Sequence, residues 1–133
     1  MVIFSNMKNR QKTFLYWGIA IFAVVSVIGG FVYYSNLPGE LDELAKCLGD
    51  KGATFFGAYW CPACNQQKTL FGRSVQYLPY AECSDPGTRN QNERCIEAGI
   101  ERYPTWEFAN GERLEGVLTP SQLAEKTSCP LPQ

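Results

Sequence analysis

Residues 14–34, FLYWGIAIFAVVSVIGGFVYY, run for 21 positions without a charge. Coiled as a helix, such a run is about 30 Å long, the thickness of a bilayer core. Tyr16 and Trp17 stand near one end and Tyr33 and Tyr34 near the other, where amphipathic rings favour the membrane interface. Too little chain follows to surround the segment as the core helix of a soluble protein. A cleaved signal peptide would share the basic start, but the run is long and YYSNLP lacks a small-x-small cleavage pattern. The expectation is therefore a retained signal anchor, in contact with lipid from Phe14 to Tyr34.

Charge orients that anchor. Lys8, Arg10 and Lys12 precede it with no acidic residue, whereas nine basic and 13 acidic residues follow it, a net charge of −4. The positive-inside tendency keeps residues 1–13 cytoplasmic and sends the remainder to a periplasm, the exterior or an organelle lumen. Disulfides persist in such compartments, which suits a chain with six cysteines. A mildly acidic exported domain gives no reason to expect nucleic acid as a partner.

Residues 35–40, SNLPGE, read as a short linker broken by Pro38 and Gly39. The domain then spans residues 41–133. Leu41, Leu44, Ala45 and Leu48 have helical spacing, with Gly49 as a stop, and the apolar residues 53–60 read as a buried central strand. A helix is expected from Cys61 to about Arg73, with Pro62 just inside its start, Gln66, Gln67 and Lys68 facing water, and Leu70 and Phe71 packing. SVQYLPYAEC resembles a second strand, with Pro79 better suited to an edge or bulge. A polar loop follows, then a short helix ended by Gly99. Asn110-Gly111 signals a hairpin, and Thr119 with Pro120 opens a last helix. Two strand–helix units, a hairpin and a terminal helix make an α/β fold, a small mixed sheet covered by helices.

The chemistry lies in FFGAYWCPACNQQKTLFG, residues 55–72. Zinc would need further ligands for Cys61 and Cys64, but the chain has no histidine and no second C-x-x-C. A four-cysteine site assembled from distant positions is the residual metal reading, and an iron–sulfur site is weak for the same reason. A purely structural disulfide between these two would close too short a loop to stabilise much. Reactivity fits better. After a buried strand, Cys61 falls at a helix start, where unpaired N–H groups and the helix dipole favour a thiolate. Cys64 lies one turn later, near enough to resolve a mixed disulfide. Cys61 is the expected attacker, Cys64 the resolving thiol, and Pro62-Ala63 between them helps set redox poise. Glu93, Glu97, Glu101 and Arg102 read as a solvated face. Nucleotide-binding signatures are lacking, a Ser-His-Asp triad cannot exist without histidine, and no cofactor is expected.

YWCPAC at 59–64 and RYPTWEF at 102–108, in that order, resemble the thioredoxin superfamily. With YAEC and CIEAGIERYPTWEFANGERLEGVLTPSQLAE between and after them, residues 50–126 are similar to the thioredoxin-like domain fused to bacterial and plant vitamin K epoxide reductase homologues. That resemblance implies a thioredoxin-like fold and passage of disulfides between exported thiol-containing proteins and a quinone-linked membrane partner. A single span cannot form a four-helix quinone site, so the partner would be a separate protein resembling a vitamin K epoxide reductase homologue. By position, Cys61 and Cys64 match the redox pair. Pro104 matches the proline, usually preceded by a cis bond, that faces the pair and holds the backbone at Tyr103 for an extended substrate. Trp60 would flank the site. The buried acid that classical thioredoxins place behind the pair has no counterpart within residues 53–57, which leaves water or a more distant acid.

The resemblance also matches Cys83 and Cys95 to a second pair, read either as a structural disulfide across the polar loop or as a relay that exchanges with Cys61–Cys64. Cys47 and Cys129 remain. Three disulfides are the simplest outcome for six exported cysteines, so these two are expected to clamp the domain ends, with an intermolecular bond as the alternative. The function implied is a membrane-tethered thiol–disulfide oxidoreductase working in the oxidising direction. A reductase or isomerase, or a noncatalytic binding module, would carry the same sequence.

Overall fold

The computed structural model describes residues 2–132, so Met1 of the expected tail and Gln133 of the expected domain lie outside the described residues. The chain divides into two compact units, one ending at Leu37 and the other starting at Pro38. The first is a single helix, α1 (Val2–Ser35), which carries the basic segment and the apolar run in one continuous element. Its Lys12–Ser35 portion, 24 residues, is long and apolar enough to cross a membrane. The helix stops where polar side chains compete for its last carbonyls: the Ser35 hydroxyl donates to the Phe31 carbonyl and the Asn36 amide to that of Val32.

The second unit begins with α2 (Asp42–Asp50), whose Asp42 and Glu43 complement the positive end of the helix dipole. Leu44, Ala45 and Leu48 form its inward stripe and are buried. Four short strands make the sheet: β1 (Thr54–Gly57), β2 (Tyr80–Glu82), β3 (Thr105–Glu107) and β4 (Arg113–Glu115). Their order is β2-β1-β3-β4, with β1 parallel to β2, antiparallel to β3, and β3 antiparallel to β4. The parallel pair needs a crossover, which α3 (Pro62–Phe71) supplies. A short helix, α4 (Glu93–Glu97), precedes β3, and α5 (Pro120–Thr127) closes the chain. Thr119 and Gln122 cap α5 reciprocally, each side chain serving the other's backbone N–H. The result is the expected α/β, thioredoxin-like arrangement of a small mixed sheet flanked by helices.

Strand alternation sends Phe55 and Phe56 to opposite faces. Phe55 stacks on Trp106 with centroids 5.0 Å apart, against Leu44, Leu48 and Leu123. Burying each such side chain contributes about 1.5–3 kcal/mol. Phe56 packs on the other face with Ala81, Cys83, Cys95 and Ile100.

Two local expectations are corrected. Residues 72–77 form a 3₁₀ helix rather than the start of a strand, and β2 begins only at Tyr80, after Pro79. Ser74 in that 3₁₀ turn is fully buried and accepts a hydrogen bond from the Leu41 N–H, which fixes it against the start of α2. Gln67 does not face water. Cys64, Gln67 and Phe71 are the buried stripe of α3, while Leu70 is 40% exposed. The Gln67 amide accepts from the Leu118 N–H at 2.7 Å and the Trp106 indole at 3.3 Å, and donates to the Leu118 carbonyl. A fully satisfied amide is tolerated in the core, and this one ties α3 to the segment before α5.

Candidate redox site

β1 ends at Gly57, and the chain turns through Ala58–Trp60 into α3. Cys61 is the N-cap of that helix in an extended conformation, and Pro62 at the next position is pre-set for helix and lacks the N–H that would go unpaired there. The Cys61 N–H donates to the Ala58 carbonyl at 3.0 Å. The Cys64 N–H donates to the Cys61 sulfur at 3.3 Å, so the first turn of α3 presents a donor where negative charge on that sulfur would develop. Cys61 is 6% exposed and Cys64 is fully covered, which leaves Cys61 at the rim. Burial, followed by the hydrogen bond and proximity to Cys61, pushes the Cys64 thiol up to about 12; Lys68 acts in the opposite sense.

Across from the pair, the Tyr103–Pro104 bond is cis, and the Cys61 thiol lies 3.8 Å from the Tyr103 carbonyl. Trp60 meets Tyr103 edge-on at 6.1 Å. The polar loop 84–92 forms a wall beside this group. Its Ser84 hydroxyl accepts from the Trp60 indole at 2.7 Å, its Thr88 carbonyl accepts from the Tyr59 hydroxyl at 2.9 Å, and Arg89 lies 5.7 Å from the centre of the Trp60 ring. Sequence positions 59–64, 84–89 and 103–104 thus converge.

The other four cysteines are paired with one another. Cys83 and Cys95 are disulfide-bonded at the base of the loop, both fully buried, and Cys47 is bonded to Cys129, joining α2 to the chain after α5. Cys61 and Cys64 are free thiols. Among the described residues no group of three or more His, Cys, Asp or Glu side chains is placed to hold a metal ion.

The strand before the pair supplies no acid, but the neighbouring strand does. Glu82 of β2 stands opposite Gly57 in register. One carboxylate oxygen accepts from the Tyr59 and Ser84 N–H groups, at 3.2 and 3.0 Å, and the other from the Tyr80 hydroxyl at 2.6 Å. Burial, then the bond to Glu82, raises the Tyr80 hydroxyl above its ordinary range, and burial raises that of Tyr103. Sequence reasoning missed Tyr80 and Glu82. The period-2 alternation of YAE puts both on one face, but only the parallel pairing with β1 shows that this face meets the cysteines.

No family model matches the chain. Among curated proteins it is similar to the thiol-disulfide oxidoreductase LTO1 of Arabidopsis thaliana, 39% identical over 94 residues. The match covers 68% of this chain. It spans 25% of that relative's length.

Proposed function

We propose that this chain is a membrane-tethered thiol–disulfide oxidoreductase, with α1 as its anchor, residues 1–13 cytoplasmic, and the second unit in a periplasm, the exterior or an organelle lumen. The observation that carries the reading is the free Cys61–Cys64 pair at the N-terminus of α3, with the outer sulfur beside the Tyr103 carbonyl and the inner one buried. The similarity to LTO1 supports it.

In the oxidising direction a substrate thiolate attacks the Cys61 sulfur of the Cys61–Cys64 disulfide, and Cys64 leaves. A second substrate thiolate then attacks the substrate sulfur of the mixed disulfide and releases Cys61. Two electrons now reside on the pair and pass to a separate quinone-linked membrane partner. An extended substrate segment would pair with the backbone at Tyr103, with Trp60 beside it. In this scheme Cys83–Cys95 fixes the loop and Cys47–Cys129 clamps the ends.

The test is the reduction potential of Cys61–Cys64 in the full chain in detergent, by equilibration with glutathione and alkylation of free thiols. A value well above that of thioredoxin, about −270 mV, supports disulfide donation. A value near it reverses the direction to a reductase. Failure of Cys61 to alkylate or exchange would leave a noncatalytic binding module.

A further inference from the structure

Resolution of a mixed disulfide at Cys61 requires Cys64 to lose its proton, yet Cys64 is sealed from solvent. Among titratable groups, Cys61 lies one turn back on α3 and Lys68 one turn forward, and Tyr80 of β2 and Tyr103 of the loop before β3 interact with it electrostatically. Gly57 opens the contact with β2. A Cβ built there would lie 3.0 Å from both the Cys64 sulfur and the Cε2 edge of the Tyr80 ring, which places that edge no more than about 6 Å from the sulfur. The Tyr80 hydroxyl in turn donates to Glu82 at 2.6 Å. Lys68 sits 3.6 Å above the Tyr80 ring, a cation over the same group. Glu82 is half-buried, so a proton reaching it has a way out to water.

We propose that Tyr80 and Glu82 form the proton path of Cys64, Tyr80 beside the thiol and Glu82 acting through it as the positioned base. The proposal rests on the redox reading above. As the pair is reoxidised, Cys64 attacks the Cys61 sulfur of a mixed disulfide with the partner, a Cys61–Cys64 bond forms and the bond to the partner sulfur breaks. The partner sulfur leaves as a thiolate carrying the electron pair. The Cys64 proton moves to the Tyr80 oxygen while the Tyr80 proton moves to the Glu82 carboxylate, from which it passes to solvent. In the opposite direction Glu82 and Tyr80 return a proton to Cys64 as it leaves.

The test uses the reduced full chain in detergent and dithiobis-nitrobenzoate. The coloured thiolate is released in two phases, the first by attack of Cys61 on the reagent and the second, independent of reagent concentration, by attack of Cys64. Both are measured for wild type, Tyr80→Phe and Glu82→Gln from about pH 5 to pH 9. The second phase is expected to fall about 10- to 100-fold at neutral pH in both variants, in the range of a lost general base. Its pH profile should change as well: the deficit of both variants narrows as pH rises toward 9, where hydroxide from solvent takes over the role of the missing base. Tyr80→Phe removes a single oxygen and keeps the ring, which separates proton transfer from folding. A second phase within twofold of wild type in Tyr80→Phe would overturn the proposal. So would an equal fall in both phases, which would mean that Glu82 only holds the backbone at Tyr59 and Ser84. Absence of the first phase in wild type would overturn the redox reading itself, and the proton path with it.

Discussion

Gly57→Ala is the perturbation whose size the structure fixes best. The new methyl would lie 3.0 Å from the Cys64 sulfur, 3.0 Å from Tyr80 Cε2 and 3.3 Å from Cys64 Cβ. Apolar contacts settle at about 3.5–4.0 Å, so about half an ångström is missing on two sides at once. Neither neighbour retreats freely. Cys64 is part of the first turn of α3, and the Tyr80 ring is held between Phe55, with centroids 5.1 Å apart, and Lys68. Overpacking of this kind costs about 1–3 kcal/mol, and the stiffer unfolded chain returns about 0.4–1 kcal/mol. The net loss expected is about 1–2 kcal/mol. Gly49→Ala is the matched control: its Cβ meets only Pro79 Cβ, at 3.9 Å, inside α2, so it should gain up to about 1 kcal/mol. Urea unfolding of the full chain in detergent, followed by tryptophan fluorescence, reads both midpoints. The Gly57→Ala protein should also resolve mixed disulfides more slowly, since α3 is pushed off β1. A Gly57→Ala protein as stable as wild type, with an unchanged second phase, would refute the close packing of Cys64 on this strand.

The Cys47–Cys129 bond closes a sequence separation of 82, for which chain-entropy arguments give about 4–5 kcal/mol. The double variant Cys47→Ala/Cys129→Ala should lose stability of that order in the same urea assay, and a loss below about 1 kcal/mol would show that the clamp constrains little. With its thiol at about 12, Cys64 is ionised to roughly one part in ten thousand at pH 8. Mass spectrometry after brief iodoacetamide treatment of the reduced protein should find the label on Cys61, with labelling of Cys64 rising only as pH increases; equal labelling at pH 8 would contradict its burial.

What the sequence disclosed follows from how local each signal is. The run of residues 53–60 into Cys61-Pro62, the Asn110-Gly111 turn and the Thr119 cap are set by neighbours within a few positions, and β1, α3, the β3–β4 hairpin and α5 form there. The phase of α3 was less accessible. Gln67 is polar by composition, yet it is buried because Leu118, 51 residues later, supplies both a donor and an acceptor. The strand expected across residues 74–83 was cut short by a similar long-range bond, from the Leu41 N–H to Ser74. Glu82 was hidden for a third reason. Its relation to Gly57 exists only once β2 lies parallel to β1, and no periodicity within YAEC reports which strand it joins.

The loop of residues 84–92 gives the redox face an assembly history. Its contacts with Tyr59 and Trp60 hold only while the loop keeps its shape, and a buried bond between Cys83 and Cys95 pins its base. A newly made chain must therefore undergo one oxidation to shape the surface to which the proposed exchanges are assigned. Both sulfurs of that first bond are fully buried, whereas Cys61 stands at the rim, so a thiol arriving from solvent meets the Cys61–Cys64 pair before it meets the scaffold. In the proposed function one bond is written into the molecule once, and the other is rewritten at every turnover.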